Sequence, residues 1–271
     1  MIEEIAYAKL NLALHVRGKR SDGYHELDTW FAFAEDGDRL CGEKAEDFTL
    51  KVEGQFAGAL AGEGDNLVLR AARALKERFG LKRGGALTLE KSLPVAAGLG
   101  GGSADAAAAL RLLVRLWELE AGEDDLLAIA SGLGADVPAC VASVSCRGTG
   151  RGDVLVPAPG TGGSLVLLVN PGVPVPTAAV FARLEPKDRG PLPPDFRDGV
   201  NDLEVPAVAF APEIGEVLRA LRATPGVTLA RMSGSGATCF ALYGSAEDRD
   251  GAERRITEAH PGWWTLATRL R

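Results

Sequence analysis

Residues 5–16 alternate loosely between apolar and polar side chains, which predicts a strand. The polar, glycine-containing stretch from Arg17 to Gly23 then predicts a hairpin whose return strand lies near residues 25–34. Residues 48–53 alternate strictly, the mark of a half-buried strand, and residues 86–90 predict another short one. From Asn66 to Phe79 the apolar side chains recur at helical spacing, with Asp65 as the expected N-cap and Gly80 as the stop. Residues 104–119, rich in Ala and Leu, predict a helix, and residues 123–132 a second one that starts on acidic residues and ends at Gly132.

The stretch from Arg147 to Gly163 is rich in Gly and Pro and is followed by Ser-Leu-Val-Leu-Leu-Val-Asn, a buried-strand pattern. A soft boundary is therefore expected near residue 160, dividing the chain into residues 1–160 and 161–271. Gly and Pro continue through Pro194, so residues 185–200 are expected to be an irregular loop. Residues 213–223 and 247–259 read as helices and residues 238–243 as a strand. Strands and helices come in mixed order, with no steady βαβ alternation, which predicts an α+β fold. The chain shows no internal repeat and no low-complexity tract.

Composition narrows the function classes. The 271 residues carry a formal net charge of −7, which argues against nucleic acid or an anionic membrane as partner. A locally positive pocket for an anionic small molecule remains compatible with that charge. Cys41, Cys140, Cys146 and Cys239 form no CxxC pair, so free thiols in a reducing compartment are expected. With only three histidines, His15, His25 and His260, no zinc-ligand spacing emerges. The amino terminus opens on two glutamates and lacks a signal-peptide pattern, and no stretch reaches the ~18 apolar residues of a membrane span. A cytoplasmic location is the expectation. The sequence carries no signal for an oligomeric state.

The most unusual segment is Pro94-Val-Ala-Ala-Gly98-Leu-Gly100-Gly101-Gly102-Ser103-Ala-Asp105, placed between a strand and the alanine-rich helix. Glycines let the backbone turn sharply and approach a ligand closely. The first amides of the following helix have no intrahelical partner and carry partial positive charge, so phosphate is their natural guest. Ser103 adds a hydroxyl suited to capping the helix or facing a metal–phosphate group. This is not a Walker A loop, since no lysine follows Gly102. It is not a dinucleotide fingerprint either: Ser103 or Asp105 stands where the third glycine belongs. A plain strand-to-helix turn is the competing reading, but four glycines within five residues are costly in entropy for a mere turn. A second cluster, Ser233-Gly234-Ser235-Gly236-Ala237, precedes a predicted strand and is by itself a weak signal.

Five segments in one order carry a resemblance: Ala8-Lys9-Leu10-Asn11-Leu12, Asp22-Gly23-Tyr24-His25, Pro94 to Ala106, Gly134-Ala135-Asp136-Val137-Pro138, and Ser233 to Ala237. Together they resemble the GHMP kinase superfamily, from about Ala6 to Tyr243. More narrowly they resemble its branch that phosphorylates the tertiary 2-hydroxyl of cytidine diphosphate methylerythritol, in the non-mevalonate isoprenoid route. The resemblance implies a two-domain α+β fold with the active site in the interdomain cleft. It implies an N-terminal domain carrying ATP, a C-terminal domain that helps close over the substrate, and Mg2+ delivered with ATP. Homoserine-type or mevalonate-type kinases of the same superfamily, or a nucleotide-binding regulator without catalysis, are the competing readings.

The resemblance also assigns roles. Asp136 is similar to the family's catalytic base, the alternative being a helix-cap or turn aspartate before Pro138. Lys9 is similar to the lysine beside that base; an edge lysine reaching solvent is the alternative. Asn11, two residues on and on the same side of the strand, is similar to a substrate-hydroxyl contact. Tyr24 and His25 match a cytosine-recognition pair, and Phe181 the opposing aromatic, unless it is simply a core residue of an amphipathic helix. Thr177 is a candidate contact to a substrate phosphate or diol, and Phe31 either lines the same pocket or packs in the core. Pro94, Gly98, Gly100, Gly101, Gly102 and Ser103 would hold the ATP phosphates. Asn66 matches a position near the adenosine or simply starts a helix. Gly234 and Gly236 would support the phosphates or the second substrate. One departure stands out: many family members carry Ser-Ser-Asp after the glycines, where this chain has Ser103-Ala104-Asp105. No acidic residue is assigned to the metal, which is expected to be held mainly by ATP.

Overall fold

The computed structural model describes residues 1–60, 66–185 and 188–271. They form two compact units. The first comprises Met1–Ala8, Asp36–Val95 and Gly100–Ser143; the second comprises Lys9–Glu35, Ala96–Leu99 and Val144–Arg271. The units interleave because β1 (Ile2–Lys19) and β2 (His25–Ala45) each contribute to both. From Val144 onward the chain stays in the second unit, whereas Gly/Pro density suggested a single boundary near residue 160.

The first unit holds β3 (Thr49–Glu53), α1 (Leu67–Arg78), β4 (Gly84–Glu90), α2 (Gly101–Trp117), α3 (Glu123–Leu133) and α4 (Val137–Ala142). β4 lies between its neighbours, antiparallel to β2 with Leu89 opposite Leu40, and parallel to β3 with Leu87 opposite Leu50. A parallel pair needs a crossover, and α1 supplies it. Its N-cap is Asn66, whose side chain accepts from the Val68 amide at 2.9 Å. The expected cap, Asp65, lies outside the described residues. Gly80, at φ 62°, ends the helix as its left-handed preference allows.

α2 is the hub of this unit. Ala104 and Ala106 to Ala109 are buried, and side chains this small let neighbouring elements approach closely. A Cβ on Gly42 of β2 would lie 2.7 Å from Leu112 Cδ2, so helix and strand meet almost backbone to side chain. Arg111 donates to the Glu4 carboxylate and to the carbonyls of Ile5 and Cys140, at 2.9, 2.8 and 2.7 Å, tying α2 to β1 and α4.

The second unit holds β5 (Cys146–Gly150), β6 (Val154–Pro157), β7 (Leu165–Asn170), α5 (Thr177–Phe181), α6 (Glu204–Phe210), α7 (Glu213–Arg222), β8 (Val227–Met232), β9 (Cys239–Tyr243), α8 (Ala246–Ala259) and β10 (Trp264–Arg269). Four of these strands form an antiparallel sheet in the order β10-β7-β9-β8. The first half of β2 pairs with β5, and β5 with β6. The core joins Leu167 and Val169 of β7, Cys239 and Ala241 of β9, Ile214, Val217 and Leu221 of α7, and Ile256 of α8. Arg231 of β8 is buried and donates to the carbonyls of Leu12, Phe196 and Gly199, stapling β1 to the segment after residue 195. Burial lowers its pKa from the ordinary arginine value, an effect partly offset by Glu204.

The stretch from Arg147 to Gly163 carries β5 and β6, which glycine and proline density hid. The described part of residues 185–200 holds one short 3-10 turn, Phe196–Asp198. The four cysteines are free thiols. Among the described residues, no helix is long and apolar enough to cross a membrane.

Gly37 offers a sharp test of this packing. A Cβ there would fall 1.9 Å from the Ala6 carbonyl oxygen, so the backbone itself must move. Gly37→Ala is expected to cost more than about 2 kcal/mol, read as a lower urea midpoint with an unchanged m-value.

Candidate active site

In the second unit, β1 enters with a buried lysine. Lys9 is 3% exposed, which excludes the reading of an edge lysine reaching solvent. Its Nζ donates to Asn11 Oδ1 at 2.8 Å and lies 5.4 Å from the Phe31 ring centroid. Spacing of two along a strand places Lys9 and Asn11 on one face, and the hydrogen bond realises that. Asn11 Nδ2 donates to Thr29 Oγ1 at 2.7 Å, and Thr29 donates onward to the Ala13 carbonyl at 2.9 Å. The amide side chain is thereby held at both ends.

The two glycine clusters meet on the same network. Ser233 Oγ accepts from the Asn11 amide at 3.1 Å and donates to the Gly98 carbonyl at 2.8 Å. A Cβ on Gly98 would come within 2.3 Å of the Ser233 carbonyl oxygen, and its φ of +75° also favours glycine. A Cβ on Gly234 would meet Asn11 Oδ1 and the Gly98 oxygen at 3.2 Å each. Gly236, at φ +87°, turns against Met232 and Ile214. The second cluster, weak as a sequence signal, thus clasps the first. Asn201 holds it from behind, donating to the carbonyls of Met232 and Gly234, both at 2.8 Å. Thr177, the first residue of α5, exchanges a hydrogen bond of 2.9 Å with Ser235.

The recognition residues are arranged differently from the expectation. Phe181 stacks directly on His25, ring centroids 4.6 Å apart and planes 25° from parallel. Phe181 also packs against the unit's core, so the core and pocket readings both describe part of it. Burial and, behind it, the Lys19 charge hold the His25 pKa below its ordinary value, so the ring is neutral near pH 7. Tyr24 is 55% exposed, and the Arg151 guanidinium lies 5.2 Å from its ring centroid. Phe31 is fully buried beneath Lys9, a core residue that the network rests on.

In the first unit, Gly100 stands at φ 61° before α2 and supplies no side-chain cap. The amides of Gly101, Gly102 and Ser103 form the helix's first turn, whose N–H groups point outward. A Cβ on Gly102 would touch Leu67 Cδ1 at 3.3 Å, so the start of α1 after Asn66 lies against this mouth. Pro94 is buried. Asp136 occupies the N-cap place of α4, yet its side chain makes no cap hydrogen bond. Asp136 lies in the turn that leads into α4.

A cluster that sequence reasoning missed lies beside the same helix mouth. Lys91, just after β4, donates to Asp38 Oδ2 at 2.5 Å and to Asp105 Oδ2 at 2.8 Å. Asp38 Oδ1 accepts from the amides of Ser92 and Leu93, at 2.6 and 2.9 Å. Burial, opposed by Lys91 and reinforced by Asp38, pushes the Asp105 carboxyl up to about 7. Burial alone would lower the Lys91 pKa, but the two carboxylates outweigh it and raise it. The available signal was a lysine and an aspartate flanking the glycine loop, in segments that otherwise read as apolar.

Residues 66–143 match the GHMP kinases N terminal domain and residues 193–262 the GHMP kinases C terminal domain. A crystal structure of a homoserine kinase from Cytophaga hutchinsonii superposes with a TM-score of 0.72 at 17% identity, covering 99% of this chain and 95% of that one. At that identity it speaks for the fold alone, and the class the fold defines is that of the GHMP kinases. A protein of Rhizorhabdus wittichii named 4-diphosphocytidyl-2-C-methyl-D-erythritol kinase is 54% identical, over 99% of this chain and 94% of its own length. One of the same name from Erythrobacter litoralis is 51% identical over the full length of both. A crystal structure of 4-(cytidine 5'-diphospho)-2C-methyl-D-erythritol kinase superposes with a TM-score of 0.80 at 36% identity, over 99% of each chain. The chain belongs to the 4-diphosphocytidyl-2-C-methyl-D-erythritol kinase family, and is a small-molecule kinase.

The Ser233 hydroxyl is the most exacting joint of the second unit's network. Ser233→Ala removes the acceptor of the buried Asn11 amide and should cost about 1–3 kcal/mol, measured by urea unfolding.

Proposed function

We propose that the enzyme transfers the γ-phosphate of ATP to the 2-hydroxyl of 4-diphosphocytidyl-2-C-methyl-D-erythritol, giving the 2-phosphate and ADP in the non-mevalonate isoprenoid route. The observation that carries this reading is near-full-length identity of 54% to a kinase of that name, combined with the buried network that joins Lys9, Asn11, Gly98 and Ser233.

The amides of Gly101, Gly102 and Ser103 receive the nucleotide phosphates, since bare N–H groups at a helix start favour anions. Gly98, Gly100 and Pro94 shape the turn that leads there, and Asn66 borders the adenosine. Mg2+ would come with the nucleotide phosphates, with the Ser103 hydroxyl oxygen available to face it. Its part is to neutralise charge on the transferring group.

Asp136 accepts the proton of the 2-hydroxyl as that oxygen bonds to the γ-phosphorus. The bond from the γ-phosphorus to the bridging oxygen breaks, and ADP leaves with the electron pair. Lys9 stabilises charge on the phosphoryl group. The support for the role of Lys9 is its burial on the strand face that also carries Asn11. Asn11 orients the accepting alcohol, its own amide fixed by Thr29.

The exposed face of Tyr24 stacks on the cytosine, and Phe181, stacked on His25, holds that imidazole toward it. A neutral His25 offers one donor and one acceptor nitrogen to the pyrimidine edge. Thr177, Gly234 and Gly236 border the diphosphate and diol. The reaction is placed in the cytoplasm, where ATP is supplied.

Turnover of homoserine or mevalonate in a coupled ADP-release assay, with none of the cytidine diphosphate ester, would overturn the substrate choice. Asp136→Asn is expected to lower kcat by at least about 100-fold while leaving ATP affinity within about twofold. Near-normal turnover would remove Asp136 from the base role. Tyr24→Ala should raise KM for the cytidine substrate about tenfold with KM for ATP unchanged; an unaltered substrate KM would refute stacking.

A further inference from the structure

The Asp38–Lys91–Asp105 cluster has no part in the chemistry above, yet it is among the most deeply buried sets of charges in the first unit. The side chains of Lys91, Asp38 and Asp105 are 3%, 0% and 4% exposed. Each belongs to a different segment: Asp38 to β2, Lys91 to the residues after β4, Asp105 to the second turn of α2. Asp38 also holds the amides of Ser92 and Leu93, the residues that lead toward the glycine loop. The three side chains therefore clamp strand, approach segment and helix into one geometry.

The clamp lies directly against the mouth of α2. A Cβ on Gly101 would fall 3.4 Å from Lys91 Nζ and 3.8 Å from Asp38 Oδ2. The ammonium thus lies at ordinary contact distance from the first residue of the helix. We infer that Lys91 is a positioning residue for nucleotide binding: it fixes the first turn of α2 and screens two buried carboxylates from the phosphates received there. This rests on the reading that the mouth holds a nucleotide.

Two features favour this role over that of a structural ion pair. First, Asp105 Oδ1 is buried without a hydrogen-bond partner. An unpaired buried carboxylate oxygen costs stability, typically about 1–3 kcal/mol or more, so an apolar trio of the same volume would serve folding better. Second, the arrangement is unbalanced. One ammonium faces two carboxyl groups, so above about pH 7, where Asp105 is ionised, its removal would leave negative charge behind the amides that meet an anion, in an interior where screening is weak.

The test compares Asp105→Asn with the double variant Lys91→Met/Asp105→Asn. The double variant loses one charge of each sign and keeps Asp38 on its two amides, so it removes the ammonium without changing the cluster's formal charge. The dissociation constant of Mg-ADP is measured by calorimetry above pH 7, where Asp105 is ionised, and KM for the cytidine substrate is the control. Asp105→Asn should bind nucleotide as tightly as the wild type or more tightly. The double variant should bind about tenfold or more weakly, with substrate KM within about twofold. A double variant with wild-type nucleotide affinity would overturn the role of Lys91, as would an Asp105→Asn enzyme as weak as the double variant. Should the double variant fail to fold, Asp105→Asn decides alone, since weaker binding than wild type contradicts the screening argument. Absence of nucleotide binding by the wild type would instead defeat the functional reading on which this rests.

Discussion

A lysine inside an apolar strand is tolerated only if something answers its charge and its donors, and the second unit is organised around that requirement. Lys9 is answered in part by Asn11, and Asn11 can do so only because Thr29 takes its other end. The Asn11 backbone amide then binds Ser233, and Ser233 binds Gly98. One buried cation thus recruits β1, β2 and two glycine turns into a single hydrogen-bonded chain. Phe31 beneath it supplies the apolar floor and a ring face that favours a cation. Nothing in this chain of contacts is a large energy by itself. Its weight comes from the cost of leaving any one member unpaired.

The first unit solves a different problem with related means. There the backbone must offer bare amides at the start of α2 and still be rigid. Alanines from Ala104 to Ala109 allow close packing, and Arg111 fastens the helix to β1 and α4. The ion cluster at Lys91 anchors its opening turn. Both units thus spend buried polar groups beside a glycine turn, the place where a main chain without side chains would otherwise be least defined.

Much of this was legible in the sequence. Periodicity exposed β3 and α1, Ala/Leu richness α2, and a continuous apolar run β7, where local pattern and burial agree. Glycine density and the lone Lys9 pointed to the loops that matter. What stayed hidden is instructive. β5 and β6 were obscured because strands that bend through Gly148 and Gly150 look like loop. Gly148 is required there, since a Cβ would meet Phe31 at 2.7 Å. The Lys91 cluster escaped because its members are 53 and 14 residues apart in the chain, and only tertiary packing makes them neighbours. The direct stacking of Phe181 on His25 was also invisible, since motif order says which aromatics matter but not which ring faces which.

The clasp between Gly98 and the Ser233 turn has a consequence for how such a chain can diversify. With 2.3 Å between a hypothetical Cβ and the opposing carbonyl, neither turn has slack to absorb a change in the other. Insertions, deletions or bulkier residues in one would have to be matched by a compensating shift in its distant counterpart, 135 positions away. Grafting either loop alone into a relative with a different partner turn should therefore fail, while exchanging the two as a pair preserves the fit.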